Sequence, residues 1–124
     1  MKQTHIDALN ELSKAAFLNA LDKGFHAKDG DIVSDYARWT VNIHGEVSEL
    51  WEAARKNALF DSCDKHDEMV SAFKDSLTCE EEELADIIIR VLDTAGACGV
   101  NIGRAVLLKM SYNATRPHMH GKLA

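Results

Sequence analysis

Two pairs of acidic residues have a spacing at which carboxylates can act together. Glu46 and Glu49 are three positions apart, as are Glu83 and Asp86, and residues three apart lie on one face of a helix. Apolar residues flank each pair, so we expect these carboxylates to border the core. A carboxylate withdrawn from water must be neutralised, paired or bound to a metal. Since oxygen-only ligation favours a hard ion over Zn²⁺, the four acids are candidate ligands of Mg²⁺ or Mn²⁺.

The alternative for these acids is an ordinary solvated helix surface. Exposed Glu is common, and one acidic pair taken alone more often belongs to such a surface. We assign the neighbouring acids at positions 80–82 to it, because negative charge in the first turn of a helix complements the helix dipole. The presence of two pairs favours a metal site for the other four.

A polar stripe near the C-terminus is suited to phosphate. Its members fall at i, i+3, i+4 and i+7 of a predicted helix and are Lys109, Tyr112, Asn113 and Arg116. A lysine, an amide and an arginine on one face supply a point charge, hydrogen bonds and a bidentate fork for phosphate oxygens. The alternative is a solvated basic helix end, which the helix dipole also favours.

Aromatic and histidine residues provide further candidates. Trp39 shares a helix face with the first acidic pair and is a candidate for stacking on a nucleobase, with a packed core tryptophan as the alternative. Phe25 and His26 are weaker candidates for the same pocket. His118 and His120 form an H-x-H pair suited to a metal or a phosphate, and the alternative is an ordinary chain end.

The elements that position these residues are predicted to be helices. A single proline, Pro117, follows a sequence in which apolar residues at helical spacing alternate with Gly-, Asp- and Asn-containing breaks. We predict helices over approximately 4–24, 34–57, 79–100 and 102–115, with Thr4 and Thr78 as N-caps, and a short helix over 66–74. The third long helix is apolar on most sides, which is typical of a buried helix. The predicted fold class is all-α, an antiparallel four-helix bundle.

Length and composition narrow the function classes. The 124 residues, 46% of them hydrophobic and 27% charged, are typical of a single domain over 1–124. A net charge of −6 argues against binding to a nucleic acid polymer. Three cysteines without a CxxC spacing indicate neither a disulfide framework nor a zinc ribbon. We find no apolar leader and no long apolar run, so we expect a cytoplasmic protein without membrane association.

Three motifs, in this order, resemble the MazG-like branch of the all-α nucleoside triphosphate pyrophosphatases, a superfamily that includes dimeric dUTPases and dCTP pyrophosphatases. The matching segments are GEVSEL at 45–50, ELAD at 83–86 and KMSYNATRP at 109–117, so the resemblance covers approximately 34–117. Gly45 departs from the many members that carry paired acids there, and resembles the dCTP-pyrophosphatase-like subset. The connection over 57–78 is longer than usual, and its role stays open, as does that of Arg90.

The resemblance implies a magnesium-dependent enzyme that hydrolyses a nucleoside triphosphate between its α- and β-phosphates and releases pyrophosphate. The four acids named above would hold the metal, and Glu46 or Glu49 would also position the attacking water. Lys109, Asn113 and Arg116 would contact the triphosphate. The resemblance also implies a homodimer or homotetramer and a role in cleaning the nucleotide pool, and leaves the preferred base and sugar open. The third long helix favours assembly as well, because it is apolar over more than one face and a chain of this size cannot cover all of that surface.

Two other classes fit parts of the pattern. A di-iron carboxylate bundle usually requires Glu-x-x-His motifs, and neither acidic pair has a histidine three residues further on. A non-catalytic nucleotide-binding or helical interaction module would keep the helices and lack turnover. Incubation with Mg²⁺ and a nucleotide panel distinguishes the module from the enzyme.

Overall fold

The computed structural model describes residues 2–26 and 30–121, and this part of the chain is helical and contains no strand. The elements, in chain order, are α1 (Gln3–Asp22), α2 (Ile32–Arg55), α3 (His66–Phe73), α4 (Cys79–Ala97) and α5 (Ile102–Ala114), followed by a 3₁₀ turn (His118–Gly121). The predicted all-α fold class is therefore confirmed.

The start of α4 is set by a capping box. Thr78 Oγ1 accepts a hydrogen bond from the Glu81 backbone N–H at 3.2 Å, and Glu81 Oε1 accepts one from the Thr78 backbone N–H at 2.9 Å. This reciprocal pair satisfies two N–H groups that a helix start leaves without partners. Thr78 is thus the N-cap that the sequence predicts.

The start of α1 differs from the prediction. The Lys2 carbonyl accepts hydrogen bonds from the backbone N–H groups of His5 and Ile6, so Thr4 already lies inside the first turn and is not the N-cap. Lys2 takes the N-cap position, and its side chain makes no capping hydrogen bond. Thr4 is a residue type that often caps helices, but it did not mark the start of α1, because α1 begins without a side-chain cap.

The described residues form two compact units, and α4 contributes to both. The first unit contains residues 2–26 and 92–121, and the second contains residues 30–91. The carboxylates of the two acidic pairs belong to the second unit, and the polar stripe of α5 belongs to the first.

Close backbone contact joins α1 and α5 in the first unit. A methyl group at Gly103 would overlap the Ile6 carbonyl, so a glycine is needed at this contact. Asn10 accepts a hydrogen bond from the Gly103 N–H at 2.9 Å and donates one to the Asn101 side chain at 2.9 Å. Asn101 is the N-cap of α5, so a single side chain of α1 fixes the beginning of α5.

Backbone hydrogen bonds hold the connection between α2 and α4 in the second unit. Cys63 N–H donates to the Leu77 carbonyl at 3.0 Å, and Cys79 N–H donates to the Asp61 carbonyl at 2.9 Å. The Cys63 residue is only 3% exposed. The two ends of the connection are therefore joined to each other, which places α3 and the residues before it at the start of α4.

The apolar surface of α4 is only partly covered in the described chain. Four apolar residues of α4 are 38–57% exposed, namely Leu84, Ile88, Ile89 and Val91. Their spacing indicates an apolar helix correctly, but it does not say how much of that surface neighbouring elements of the same chain cover. No single described helix is long and apolar enough to span a membrane, although α4 and α5 taken together, across a sharp bend, satisfy the length and composition of a span.

Candidate functional site

The two acidic pairs line one cavity of the second unit, with a volume of about 430 Å³. The cavity is lined by Glu46, Glu49, Asp64, Lys65, Cys79, Glu82, Glu83 and Asp86. The first pair is presented by α2 and the second by α4, and the i, i+3 spacing gives each helix one acidic face. The structure thus brings together all four acids that the sequence singles out.

Three of these acids form a compact group of oxygen donors. One carboxylate oxygen each from Glu46, Glu49 and Glu83 lies within 4.8 Å of the others. Asp86 lines the same cavity outside this group of three. Carboxylates this close repel one another unless a proton or a cation lies among them.

The electrostatic result of this crowding is clearest at Glu83. Burial, together with the adjacent carboxylate of Glu49, raises the pKa of Glu83 to about 7. Its Oε2 atom is buried and has no hydrogen-bond partner in the described part of the chain. This carboxyl group therefore keeps a proton at pH values where an ordinary glutamate is ionised.

Glu46 and Asp86 are also perturbed. Burial raises the pKa of Glu46, and a hydrogen bond from Arg90 opposes that rise. The Arg90 Nε atom donates to Glu46 Oε1 at 3.2 Å, which gives Arg90 a contact in the site that the sequence left open. Burial, followed by the charge of Glu82, raises the pKa of Asp86. The cavity therefore disfavours the accumulation of negative charge.

Glu82 and Lys65 belong to the site and were missed. The sequence assigns Glu82 to the solvated helix start, but this residue is only 7% exposed and pairs with Lys65, whose Nζ lies 2.5 Å from Glu82 Oε1. The assignment is wrong because the connection before α4 covers this face. The hydrogen bonds to Glu82 and Asp64 raise the pKa of Lys65 above its usual range. The i, i+4 spacing of Glu82 and Asp86 would have indicated that Glu82 shares a helix face with Asp86.

The polar stripe of α5 places two cations beside one aromatic ring. Lys109 Nζ lies 4.8 Å from the centroid of the Tyr112 ring, and Arg116 Cζ lies 5.6 Å from it. Asn113 Oδ1 is buried and has no hydrogen-bond partner within residues 2–26 and 30–121. Arg116 lies two residues beyond the end of α5 and still reaches the ring of Tyr112. The phosphate-binding role of these residues stays a prediction.

The remaining candidates have structural partners or lie at the surface. Trp39 is 8% exposed and contacts the Tyr36 ring edge to face, as the packed alternative predicts. The His26 Nε2 atom lies 2.7 Å from Asp93 Oδ1, where both side chains are nearly buried, and Phe25 is exposed. His118 is exposed, and the side chain of His120 lies outside the described residues. None of these contacts adds a ligand to the carboxylate cavity.

Gly45 occupies the position where many MazG-like proteins carry another acid. It lies within α2, directly before Glu46, and a methyl group there would meet no described atom within 4 Å. Packing around α2 therefore does not require the glycine.

Comparison of the chain with protein-family models, with curated proteins and with solved structures finds no match in any of the three. The MazG-like resemblance is therefore carried by its three motifs alone. The proximity of the three carboxylate groups is a separate structural observation.

Proposed function

We propose that this chain is a magnesium-dependent nucleoside triphosphate pyrophosphohydrolase of the MazG-like type. It would cleave a ribo- or deoxyribonucleoside triphosphate between the α- and β-phosphates and serve to clean the nucleotide pool of the cytoplasm. The observation that carries this proposal is the group of carboxylate oxygens from Glu46, Glu49 and Glu83 within 4.8 Å of one another.

The donor set fits a hard divalent cation. All the candidate ligands are carboxylate oxygens, and the buried Oε2 of Glu83 has no partner among the described residues. The residues that would hold the ion are Glu46, Glu49, Glu83 and Asp86. When bound, Mg²⁺ supplies charge neutralisation for the polyphosphate and lowers the pKa of a water molecule.

Glu49 is the better candidate for the residue that receives the proton of the attacking water. Glu46 is engaged by Arg90, whereas Glu49 is exposed at the cavity. The water oxygen attacks the α-phosphorus, the bond to the oxygen that bridges the α- and β-phosphates breaks, and pyrophosphate leaves. Glu49 thereby acts as general base.

The α5 stripe supplies the substrate contacts of the proposal. Lys109 and Arg116 are cations suited to phosphate oxygens, and the buried amide oxygen of Asn113 suits a hydrogen-bond donor. Both cations lie beside the ring of Tyr112. Trp39 is proposed as a wall of the base pocket because it shares a face of α2 with Glu46.

We expect release of pyrophosphate, and not of orthophosphate, from at least one nucleoside triphosphate in a panel of natural and modified substrates with Mg²⁺ or Mn²⁺. The phosphorus products are identified by ³¹P NMR, and a chelator should abolish the reaction because without a divalent cation the carboxylates repel the polyphosphate. Orthophosphate as the sole product would contradict the proposal. Nucleotide binding without turnover across the panel would instead identify a non-catalytic binding module.

We also propose that the protomer is an antiparallel four-helix bundle that assembles as a homodimer or homotetramer. The exposed apolar residues of α4 favour assembly, because a surface of this kind is commonly buried against another chain. Light scattering at micromolar concentration should therefore give two or four times the chain mass of 13.7 kDa.

A charge on the α4 surface should weaken the assembly. We expect Ile88→Glu to shift the mass toward 13.7 kDa, whereas Leu12→Glu, at a similarly exposed residue of α1, should not. A wild-type mass of 13.7 kDa with full activity would show that one chain is sufficient.

A further inference from the structure

The connection between α2 and α4 brings a cation into the acidic cavity. Lys65 lines the cavity together with six carboxylate residues and is the only cation among its described lining residues. Its Nζ lies 2.5 Å from Glu82 Oε1 and 2.9 Å from Asp64 Oδ1. The Lys65 side chain is 58% exposed, whereas that of Glu82 is 9% exposed. The ammonium group is therefore anchored to a buried acid and accessible from solvent.

The position of Lys65 is fixed by the backbone around it. Lys65 is the N-cap of α3, and its carbonyl accepts a hydrogen bond from the Met69 N–H at 3.0 Å. The preceding buried Cys63 is joined to Leu77 at the other end of the connection. The lysine is thus presented by a hydrogen-bonded segment, which lowers the entropic cost of using it to bind a ligand.

The charge of the cavity creates a need for such a group. A polyphosphate that approaches the ionised carboxylates of this cavity is repelled unless cations lie between them, and every additional cation in the cavity reduces that repulsion. A lysine ammonium has three N–H donors, of which two point to Glu82 and Asp64. Among the described residues the third donor has no acceptor, so it is available to an incoming phosphate oxygen.

We propose that Lys65 binds the phosphate chain of the substrate. The connection between α2 and α4, which contains none of the three motifs, would then take part in substrate binding. This inference rests on the proposed function, because it takes a polyphosphate as the ligand of the cavity. If Lys65 has this role, the affinity of the cavity for phosphate depends on Lys65, whereas its affinity for the metal ion does not.

The test uses inorganic tripolyphosphate, which carries the phosphate chain without a base. Calorimetry with Mg²⁺ compares the wild-type protein with Lys65→Gln, which removes the charge and keeps a donor for Glu82, and with Lys74→Gln, an exposed lysine of the same connection outside the cavity. We expect Lys65→Gln to weaken tripolyphosphate binding about tenfold, in keeping with one charge-assisted hydrogen bond, and Lys74→Gln to leave it unchanged.

A second measurement separates phosphate binding from a structural role. Binding of Mn²⁺ alone to Lys65→Gln should be as tight as in the wild type or tighter, because a positive charge near the ion has been removed. With a nucleotide substrate, the KM should rise about tenfold while kcat changes less. Parallel losses of Mn²⁺ affinity and thermal stability would overturn the inference in favour of a structural ion pair.

Failure of the inference is distinguishable from failure of the proposed function. Pyrophosphate release by the wild type, combined with unchanged tripolyphosphate binding in Lys65→Gln, overturns the role of Lys65 and leaves the enzyme in place. Absence of both pyrophosphate release and tripolyphosphate binding in the wild type overturns both proposals.

Discussion

Glu49→Gln and Asp86→Asn are each expected to reduce the rate of pyrophosphate release by roughly 100-fold or more. Glu49 is proposed both to hold the metal and to accept the proton of the attacking water, and an amide can do neither well. Asp86 is a proposed ligand on the opposite helix of the cavity. Both substitutions preserve side-chain size, so circular dichroism should show an unchanged helical content.

The matched control for these two variants is Glu68→Gln. Glu68 is an exposed acid of α3 in the same unit and does not line the cavity. Its turnover should equal that of the wild type. Wild-type rates in both Glu49→Gln and Asp86→Asn would exclude the metal-site assignment.

Ionisation of Glu83 is expected to destabilise the metal-free protein as the pH rises from about 4.5 to about 7. The pKa of Glu83 is raised from 4.5 to about 7 by burial and by Glu49, so the folded protein binds this proton more tightly than the unfolded chain does. The contribution of Glu83 to the free energy of unfolding is therefore greatest below pH 4.5. It decreases as the pH rises and levels off once the pH exceeds about 7. The midpoint of thermal unfolding, measured from pH 4.5 to 8 in the presence of a chelator, should fall accordingly.

Glu83→Gln isolates that contribution. At pH 8 and without metal we expect the variant to unfold several degrees above the wild type, since the unfavourable ionisation has been removed. Saturating Mn²⁺ should reverse the order, because only the wild type gains the full stabilisation of ligand binding. Glu11→Gln, at an exposed position of α1, should follow the wild type under both conditions. Identical pH profiles for Glu83→Gln and the wild type would contradict the raised pKa.

The parts of the fold that the sequence predicts are those set by local interactions. The apolar spacing predicts the helices and their order, and the T-x-x-E spacing of Thr78 and Glu81 marks a helix start that the structure contains. Local signals were insufficient at Thr4, because α1 begins without a side-chain cap. The i, i+3 spacing also predicts which acids share a face.

Longer-range features of the candidate site depend on how the connection folds. Lys65 and Glu82 are 17 residues apart, and the segment between them has weak periodicity, so nothing in the sequence pairs them. The burial of Glu82 follows from that pairing and was missed with it. The apolar surface of α4 exceeds what one chain covers, as the number of apolar residues on this helix predicts, but the sequence does not say which of them stay exposed.

The open space around Gly45 has a consequence for how this chain can vary. Glycine in the middle of a helix destabilises it by about 1 kcal/mol relative to alanine, and here no described neighbour offsets that cost by requiring a glycine. One substitution at this position could therefore introduce a further carboxylate beside Glu46 without steric obstruction. Position 45 is therefore sterically open to larger side chains, whereas Gly103, which lies against Ile6, is closed to them.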